Sequence, residues 1–356
     1  MTRAQPRSAD DRTAAPFGTV LAGRMVVSRG GNDGFSAAQV VPTAPLELSP
    51  GAHVLHYGSA VFEGLKAHRG TDGVVRLFRA DRHIDRLRRS AELACLPVPD
   101  AELLAEAVEA VVAGNLDEVP LAPGSLYVRP VLIGTEPNIG AAAAPSREAL
   151  LYVLASPVGD YFDGGPRPLR LAVETELPRT TPQFGQVKAG ANYVMALGVT
   201  RRAAAAHQAD QVLFAPGGDV QETGAANLLL LDEERVVTKG LDGSFLHGVT
   251  RDSLLVLARD LGLEVEERDV GVDELTAWAR RGGEAALAGT AAVLAGVGTL
   301  VIAGREISVA DGEVGPVTRR LRTALLEVQR GEAPDRHNWT RAVPAQPSGA
   351  VRHSAR

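Results

Sequence analysis

The stretch QVKAGANY, residues 186–193, decides the fold of this chain. It contains Lys188, one of only three lysines among 37 lysines and arginines. A lysine can lose its proton and form a Schiff base with a carbonyl, whereas an arginine stays protonated, so the few lysines kept here are candidates for chemistry. The small residues after Lys188 would let a flat ring approach the backbone, and Tyr193 lies far enough along to contact another part of that ring. Taken alone, a lone lysine is more often a solvated surface charge.

Length and composition place the chain among ordinary globular proteins. Its 356 residues suffice for about two domains, and 45% hydrophobic with 22% charged residues is an ordinary balance. The single cysteine, Cys95, excludes an intrachain disulfide framework and a cysteine-based zinc site, no metal site is expected, and we expect Cys95 to fill an apolar helix face. The net charge is −6, without a basic patch interleaved with aromatic residues, so nothing favours nucleic-acid binding. No apolar run reaches the roughly 18–20 residues of a membrane span.

The two ends and one internal break organise the chain. Residues 1–16 and 342–356 have the composition of disordered segments, and we predict that both are disordered. The first segment lacks the apolar region of a secretory signal, which together with the single cysteine favours a cytoplasmic protein. The sequence DGGPRP (163–168) is the strongest break. We therefore predict an interdomain linker and two mixed α/β domains, which span 161–170, 17–160 and 171–341.

Apolar residues at three- and four-residue spacing predict six helices, and apolar runs predict strands between them. The helices are expected at 81–96, 100–116, 191–208, 250–261, 272–281 and 316–330. Strand-like runs occur at 74–78, 125–133, 149–158, 169–177, 210–216, 227–238 and 292–304. Asp81, Asp100 and Thr250 are the expected N-caps.

Four further segments have a chemical interpretation beside a plainer one. In VQETGAANLLLL, Glu222 leads into an apolar strand and needs a cationic partner if it is buried; otherwise it is a loop residue in water. Residues 248–250 open a helix whose free N–H groups suit a phosphate, or they form a plain cap. Thr290 closes over a ligand or belongs to a tight turn. One arginine of ADRHIDRLRRSAE would bind phosphate if it turned inward, whereas a solvated face is the commoner role.

Together, and in this order, the segments resemble the branched-chain amino acid aminotransferases, the fold-type IV enzymes that use pyridoxal 5′-phosphate. The similarity runs from about Gly51 to Trp339 through HYGSAVFEGLKAHRG, LFRADRHIDRLRRSAE, SLYVRPVLIGTEPNIG, ASPVGDYF, VKAGANY, ETGAAN, GVTRDSLL and GTAA. The resemblance implies a mixed α/β (α+β) fold with a small N-terminal α/β domain and a larger C-terminal pseudo-barrel domain that binds the cofactor. It also implies ping-pong transamination between leucine, isoleucine or valine and 2-oxoglutarate.

The resemblance also implies the contacts to the cofactor. Lys188 would be the Schiff-base lysine and would shuttle the proton between Cα and C4′. Glu222 would pair with the pyridine N1 and keep it protonated, and Tyr193 would hydrogen-bond the phenolic O3′. The phosphate would be held by Arg86, by the backbone of Val249 and Thr250, and by the Thr290 hydroxyl.

For the substrate, the resemblance implies an aromatic pocket wall, two carboxylate contacts and a homodimer. The wall positions are Tyr57, Phe62, Tyr127 and Tyr161, and in the family part of the wall comes from the partner subunit. Arg129 would meet a second carboxylate such as that of glutamate, and the Ala291 N–H would bind the substrate α-carboxylate. Lys66 and Lys239 match no such role and are expected to be surface or strand-end charges.

Three departures from the family pattern keep the choice of substrate open. Ala225 stands where many relatives have a threonine whose hydroxyl helps bind the substrate carboxylate. His247 replaces a proline and is expected to sit in the turn, and residues 286–288 replace an aromatic-glycine pair that borders the pocket. The main alternative is therefore an aminotransferase for an unusual or aromatic amino acid. A lyase of the aminodeoxychorismate type and a catalytically silent binding relative are the remaining alternatives.

Overall fold

The computed structural model describes Thr13, residues 15–160 and residues 167–344. Within these residues the backbone forms two β-sheets flanked by α-helices, which confirms the mixed α/β class that the sequence predicted. Tyr161 and most of the predicted linker and disordered ends lie outside the described residues.

The first sheet is antiparallel and comes from the first half of the chain plus one late strand. Its order is β17-β6-β5-β7-β8-β1-β2, with β3 paired to β1 and β4 paired to β7. The pairing of β4 and β5 with β7 places Phe62 opposite Val131 and Lys66 opposite Tyr127. The strands are β1 Arg24–Gly31, β2 Gly34–Phe35, β3 Gln39–Pro42, β4 Ala60–Phe62, β5 Leu65–Arg69, β6 Val75–Phe78, β7 Ser125–Gly134, β8 Glu148–Val158 and β17 Thr340–Ala342.

The second sheet is mixed and has the order β10-β9-β15-β14-β11-β12-β13, with β16 paired to β15. The apolar run predicted at 227–238 is two strands, because Asp232 accepts hydrogen bonds from the backbone N–H groups of Glu234 and Arg235 and turns the chain between them. The strands are β9 Leu169–Glu174, β10 Gln211–Phe214, β11 Asn227–Leu231, β12 Arg235–Thr238, β13 Glu264–Glu267, β14 Glu284–Gly289, β15 Val293–Ile302 and β16 Arg305–Ser308.

The helices cover these sheets with the apolar faces that their periodicity predicts. The helices are α1 His53–Tyr57, α2 Ala80–Leu93, α3 Ala101–Ala113, α4 Gly190–His207, α5 Val249–Asp260, α6 Val272–Arg280 and α7 Pro316–Arg330. Helices α2 and α3 bury Leu87 and Leu104 in the core of the first sheet. Helix α6 buries Trp278 against the second sheet, and α5 and α7 bury Leu254 and Leu321 in a further cluster. Burial of these apolar side chains is the main stabilising contribution to the fold.

The predicted helices are confirmed, each with ends within three residues of the expected ones, but two caps are wrong. Helix α2 begins one residue before Asp81, and Arg79 in a left-handed conformation is its N-cap. Thr250 lies inside α5, whose N-cap is Gly248. Asp100 is the N-cap residue of α3, although its side chain makes no capping hydrogen bond.

The expectation for Cys95 is also wrong. Helix α2 ends at Leu93, before Cys95 can take a place on its inner face. Cys95 has a φ of 53° and is exposed, and Leu96 fills the core beside it instead.

The change from one sheet to the other falls at the break that the sequence predicted. Strand β8 ends at Val158 and β9 begins at Leu169, while β17 returns to the first sheet near the end of the described chain. The domain boundaries themselves stay a prediction. Among the described residues, no helix combines the length and apolar character needed to cross a membrane.

Candidate active site

Lys188 immediately precedes helix α4 and is held by residues of the first sheet and of α2. Its backbone N–H donates to the Ser90 hydroxyl at 3.1 Å, and its carbonyl accepts from the Phe62 N–H at 3.0 Å. Its Nζ donates to the Tyr193 hydroxyl at 3.0 Å. The backbone is therefore fixed at two points, and the amine is directed toward the phenol one helical turn further along.

Asn192 explains why the loop before α4 has this shape. Its side chain is fully buried and donates to the carbonyl groups of Val187 at 2.7 Å and Phe184 at 3.0 Å. Its oxygen accepts from the Thr180 hydroxyl at 2.8 Å. All the polar atoms of this buried amide thus serve to hold the segment that carries Lys188.

Three residues of the first sheet form an aromatic and cationic wall beside the amine. The Phe62 ring centre lies 5.0 Å from Lys188 Nζ and 4.5 Å from the Arg129 guanidinium carbon. Arg129 also donates to the Tyr127 hydroxyl at 2.8 Å. A Cβ at Gly64 would lie 2.0 Å from that hydroxyl, so the glycine is needed for Tyr127 to take this position.

Glu222 is a buried carboxylate with a cationic partner, Arg179, 2.7 Å from its Oε1. The same oxygen accepts from the Leu246 N–H at 3.0 Å, and Oε2 is 3.3 Å from the Asn227 amide nitrogen. Burial raises the pKa of Glu222 to about 7, although Arg179 acts in the opposite direction. The alternative of a loop carboxylate in water is thereby excluded.

Arg86 turns inward from α2 and is bound on both sides. It makes a two-point contact with the buried Glu63 at 2.6 and 2.9 Å and donates to the His247 carbonyl at 2.8 Å. Glu63 also contacts His83 at 2.7 Å. Burial by itself would raise the pKa of Glu63, but Arg86 and His83 outweigh it and hold the pKa well below its usual range.

The inward arginine, the amine and the carboxylate line one cavity with the first turn of α5. The N-terminus of α5 offers free N–H groups and a positive dipole end, which suit a phosphate. A Cβ at Gly248, the N-cap, would lie 2.1 Å from the Asn227 oxygen, so the backbone approaches closely here. The lining includes Arg86, Lys188, Glu222, Ala225, Asn227, Gly248, Val249, Thr250 and Thr290.

Two predicted substrate residues lie elsewhere or face away in the described chain. Tyr57 is exposed, and its hydroxyl donates to the Ile139 carbonyl at 2.5 Å rather than joining the wall. The Ala291 carbonyl faces Lys66, while its N–H makes no hydrogen bond within the described residues. His247 sits in the turn as expected, because its ring contacts the Asp242 carbonyl at 2.7 Å.

The other two lysines are buried, so their expected place at the surface is wrong. Lys66 donates to the Ala291 carbonyl at 2.8 Å. Lys239 does follow the end of β12, but it is enclosed by Asp219 and Asp269 at 2.9 and 2.8 Å. Each buried charge is compensated by polar partners that are distant in sequence, which local patterns do not indicate.

Sequence reasoning missed three polar partners that complete the site: Glu63, Arg179 and Asn227. Glu63 lies in FEGLKA, where a carboxylate between apolar strand residues was the available signal. The need of Glu222 for a cation anticipated a partner of the type of Arg179 but not its position.

Known aminotransferases are similar to this chain in sequence. The sequence profile of the family described as Amino-transferase class IV matches residues 60–298. The chain is 41% identical to a "Probable branched-chain-amino-acid aminotransferase" of Streptomyces coelicolor, over 94% of this chain and 96% of the relative. It is also 41% identical to a "Branched-chain-amino-acid aminotransferase" of Mycobacterium tuberculosis, over 86% of each.

Solved structures agree with the sequence relatives. A thermophile branched-chain amino acid aminotransferase (source abbreviated T.th.), solved with pyridoxamine 5′-phosphate, superimposes with a TM-score of 0.74 at 30% identity, over 91% of this chain and 99% of that one. The Escherichia coli enzyme gives 0.72 at 27% identity, over 90% and 99%. The fold and the cavity are thus those of a class IV aminotransferase with the fold-type IV architecture. Within that class, the chain belongs to the family of branched-chain-amino-acid aminotransferases.

Proposed function

We propose that the protein transfers the amino group between a branched-chain L-amino acid (leucine, isoleucine or valine) and 2-oxoglutarate, by a ping-pong reaction that depends on pyridoxal 5′-phosphate and a Schiff base to Lys188. The observation that carries the proposal is one cavity lined by Lys188, whose amine contacts Tyr193, and by the buried carboxylate of Glu222. The names of the sequence relatives and the pyridoxamine 5′-phosphate in a solved relative support it.

The side chains of the cavity fit that cofactor. Arg86, the first turn of α5 and the Thr290 hydroxyl offer donors for a phosphate, and Lys188 is the attachment point. The close approach at Gly248 leaves the backbone of Val249 and Thr250 accessible to it. When bound, the cofactor supplies a protonated ring that withdraws electrons from the substrate Cα.

Glu222 would hold the proton on the ring nitrogen. Its Oε1 already accepts from Arg179 and the Leu246 N–H, whereas Oε2 has only the 3.3 Å contact with Asn227. Oε2 is therefore the atom that faces the ring. A positive ring nitrogen would favour the charged form of this buried carboxylate, whose pKa burial raises to about 7.

Lys188 would move the proton at the substrate Cα once its amine is free. The Tyr193 hydroxyl at 3.0 Å fixes the position of that amine and would then contact the phenolic oxygen of the ring. The Phe62 and Tyr193 ring centres lie 5.0 and 5.6 Å from Nζ and shield it from water.

The first-sheet wall would select the substrate. Phe62 and Tyr127 offer an apolar surface for a branched side chain, and Tyr161, which lies outside the described residues, is proposed to extend it. Arg129 would bind the second carboxylate of glutamate or 2-oxoglutarate. The free N–H of Ala291 would bind the α-carboxylate, and Ala225 supplies no hydroxyl to assist it.

We also propose a homodimer in the cytoplasm, with one pocket wall completed by the partner subunit. Leu55, Tyr57 and Ile139 are 59%, 37% and 71% exposed, which is unusual for large apolar side chains. Tyr57 and Ile139 are joined by a hydrogen bond, so they form one surface. Two domains at 17–160 and 171–341, with the linker 161–170, would each supply a part of the cavity.

A direct test uses the cofactor as its own reporter. The purified protein should be yellow, borohydride should abolish the absorption band and label Lys188, and Lys188→Ala should lack the band. Leucine, isoleucine and valine should be the best amino donors with 2-oxoglutarate as acceptor. A colourless protein that cannot be reconstituted would refute the proposal.

Ala225 and Ala288 favour a second candidate, an aminotransferase for an unusual or aromatic amino acid. Both are small residues at positions that border the cavity, where larger groups would limit the substrate. The same panel of amino donors distinguishes the two candidates. Poor turnover of all three branched-chain donors, with a better aromatic or unusual donor, would favour the second.

A further inference from the structure

Two buried cations hold consecutive carbonyl groups of the turn between β14 and β15. Lys66 on β5 donates to the Ala291 carbonyl at 2.8 Å. Arg322 on α7 donates to the Ala292 carbonyl and, at 3.3 Å, to the Leu294 carbonyl. Both cations are less than one-tenth exposed. Neither has a role in the cofactor contacts proposed above, so their convergence on this turn needs an explanation.

The N–H groups of the same turn are free to bind a ligand. Within the part of the chain that the structure describes, the N–H groups of Ala291 and Ala292 make no hydrogen bond. In a trans peptide the carbonyl and the N–H point in opposite directions, so a cation that holds the Ala291 carbonyl turns the Ala292 N–H away from itself. Thr290 of this turn lines the cavity that contains Lys188.

We propose that Lys66 and Arg322 are positioning residues that fix this turn so that its N–H groups bind the α-carboxylate of the substrate. The inference rests on the proposed function, which assigns the carboxylate to the Ala291 N–H. It adds that two distant elements, β5 and α7, determine how well that carboxylate is bound.

The charges around the turn favour an anion in front of it. Asp160, 3.1 Å from Arg322, is the acidic group that faces the pair, and Arg330 adds a further positive charge. Burial lowers the pKa of Lys66 to about 8, with Asp160 raising it and Arg322 and Arg330 lowering it, so Lys66 is mainly charged at neutral pH. Burial likewise lowers the pKa of the neighbouring His68 to about 3, which leaves it neutral. The cluster thus carries net positive charge behind the turn.

The position of Lys66 relates this cluster to the pocket wall. Lys66 is the cross-strand partner of Tyr127, and paired residues of an antiparallel sheet project to the same face. The side chain that holds the turn therefore extends on the same side as the wall. Because Ala225 supplies no hydroxyl, binding of the α-carboxylate depends on the backbone donors that Lys66 and Arg322 orient.

The test measures carboxylate binding apart from turnover. The probe is 4-methylvalerate, an acid without an amino group that was solved in complex with the T.th. relative, and 4-methylvaleramide is its neutral counterpart. Calorimetric titration of the holoenzyme should give a dissociation constant for the acid that Lys66→Met and Arg322→Met each raise about tenfold, equivalent to about 1.4 kcal/mol. The constant for the amide should change less than about threefold.

Controls separate positioning from general damage. Arg330→Met removes a nearby positive charge without a contact to the turn and should alter acid binding less than either test variant. All variants should keep the cofactor absorption band, and the KM for the amino donor should rise more than kcat falls. If one test variant does not fold, the other carries the test, because each removes a separate carbonyl contact.

Two results would overturn the inference while leaving the proposed function intact. One is an unchanged affinity for 4-methylvalerate in both variants, and the other is an equal loss for acid and amide, which indicates a merely structural role. A wild-type holoenzyme that does not bind 4-methylvalerate at all would instead refute the carboxylate site itself, and the inference with it.

Discussion

Among individual residues, Glu222 is the one whose environment is most clearly built for a charged partner. Its Oε1 is occupied by Arg179 and its Oε2 is nearly free, so the ring nitrogen is the missing contact. We expect Glu222→Ala to keep the yellow colour, because Lys188 is untouched, but to lose at least about 100-fold in kcat, since a deprotonated ring stabilises charge poorly.

Absorbance and steady-state kinetics on the same preparation check this prediction. Glu233→Gln, which changes an exposed carboxylate of the turn after β11, is the control and should retain full turnover. Unchanged turnover in Glu222→Ala would contradict the role assigned to the carboxylate.

The same carboxylate predicts how the stability of the cofactor-free protein depends on pH. Burial raises its pKa to about 7 in the folded state, above the usual 4.5, so the folded state binds the extra proton between these values. Its contribution to the free energy of unfolding is therefore greatest below pH 4.5 and is lost as the pH rises to about 7, by up to roughly 3 kcal/mol.

Urea unfolding of the cofactor-free protein across this pH range measures the effect. Glu222→Gln should flatten the dependence, because the amide does not titrate. The wild-type and variant curves should differ most in slope between about pH 5 and 7. Parallel curves would show that Glu222 titrates normally.

Among the secondary-structure elements, the N-terminus of α5 is the one whose exact approach matters to the cofactor. A Cβ at Gly248 would lie 2.1 Å from the Asn227 oxygen, and Asn227 in turn contacts Glu222. We expect Gly248→Ala to displace Asn227 and to weaken cofactor binding about tenfold, as measured by titration of the cofactor-free protein with pyridoxal 5′-phosphate.

Gly271 offers a matched control, because it is also the N-cap residue of a helix, α6, but its nearest neighbour is 4.0 Å from a built Cβ. Gly271→Ala should leave cofactor affinity unchanged. If both variants bind the cofactor like the wild type, the close approach at Gly248 has no functional importance.

The elements differ in how well the sequence predicts them. Helices α2 and α7 were predicted because a regular apolar face encodes them locally. Strand β14, EAALAG, was not singled out, because its alanines resemble a helix and only its pairing with β11 and β15 makes it a strand. In the site, Lys188 and Tyr193 share one local motif, whereas Lys66 and Ala291 are 225 residues apart. Contacts of that range depend on the assembled fold, so no local pattern indicates them.

For the molecule as a whole, the exposed apolar surface of Leu55, Tyr57 and Ile139 leads to the prediction of a dimer. Large apolar side chains in contact with water cost free energy that association recovers. Tyr57 was expected in the pocket wall but faces Ile139 on the surface, which agrees with a wall completed across two subunits.

Sedimentation velocity should therefore give twice the chain mass of 37.3 kDa. Ile139→Glu should dissociate the dimer at low protein concentration, because it buries an unpaired charge in the interface. Specific activity should fall in parallel with the dimer fraction, since the separated subunit has an incomplete pocket. Leu121→Glu changes an equally exposed residue on another loop and should alter neither quantity. A wild-type monomer with full activity would contradict the shared pocket, and an active Ile139→Glu monomer would show that each subunit builds its own wall.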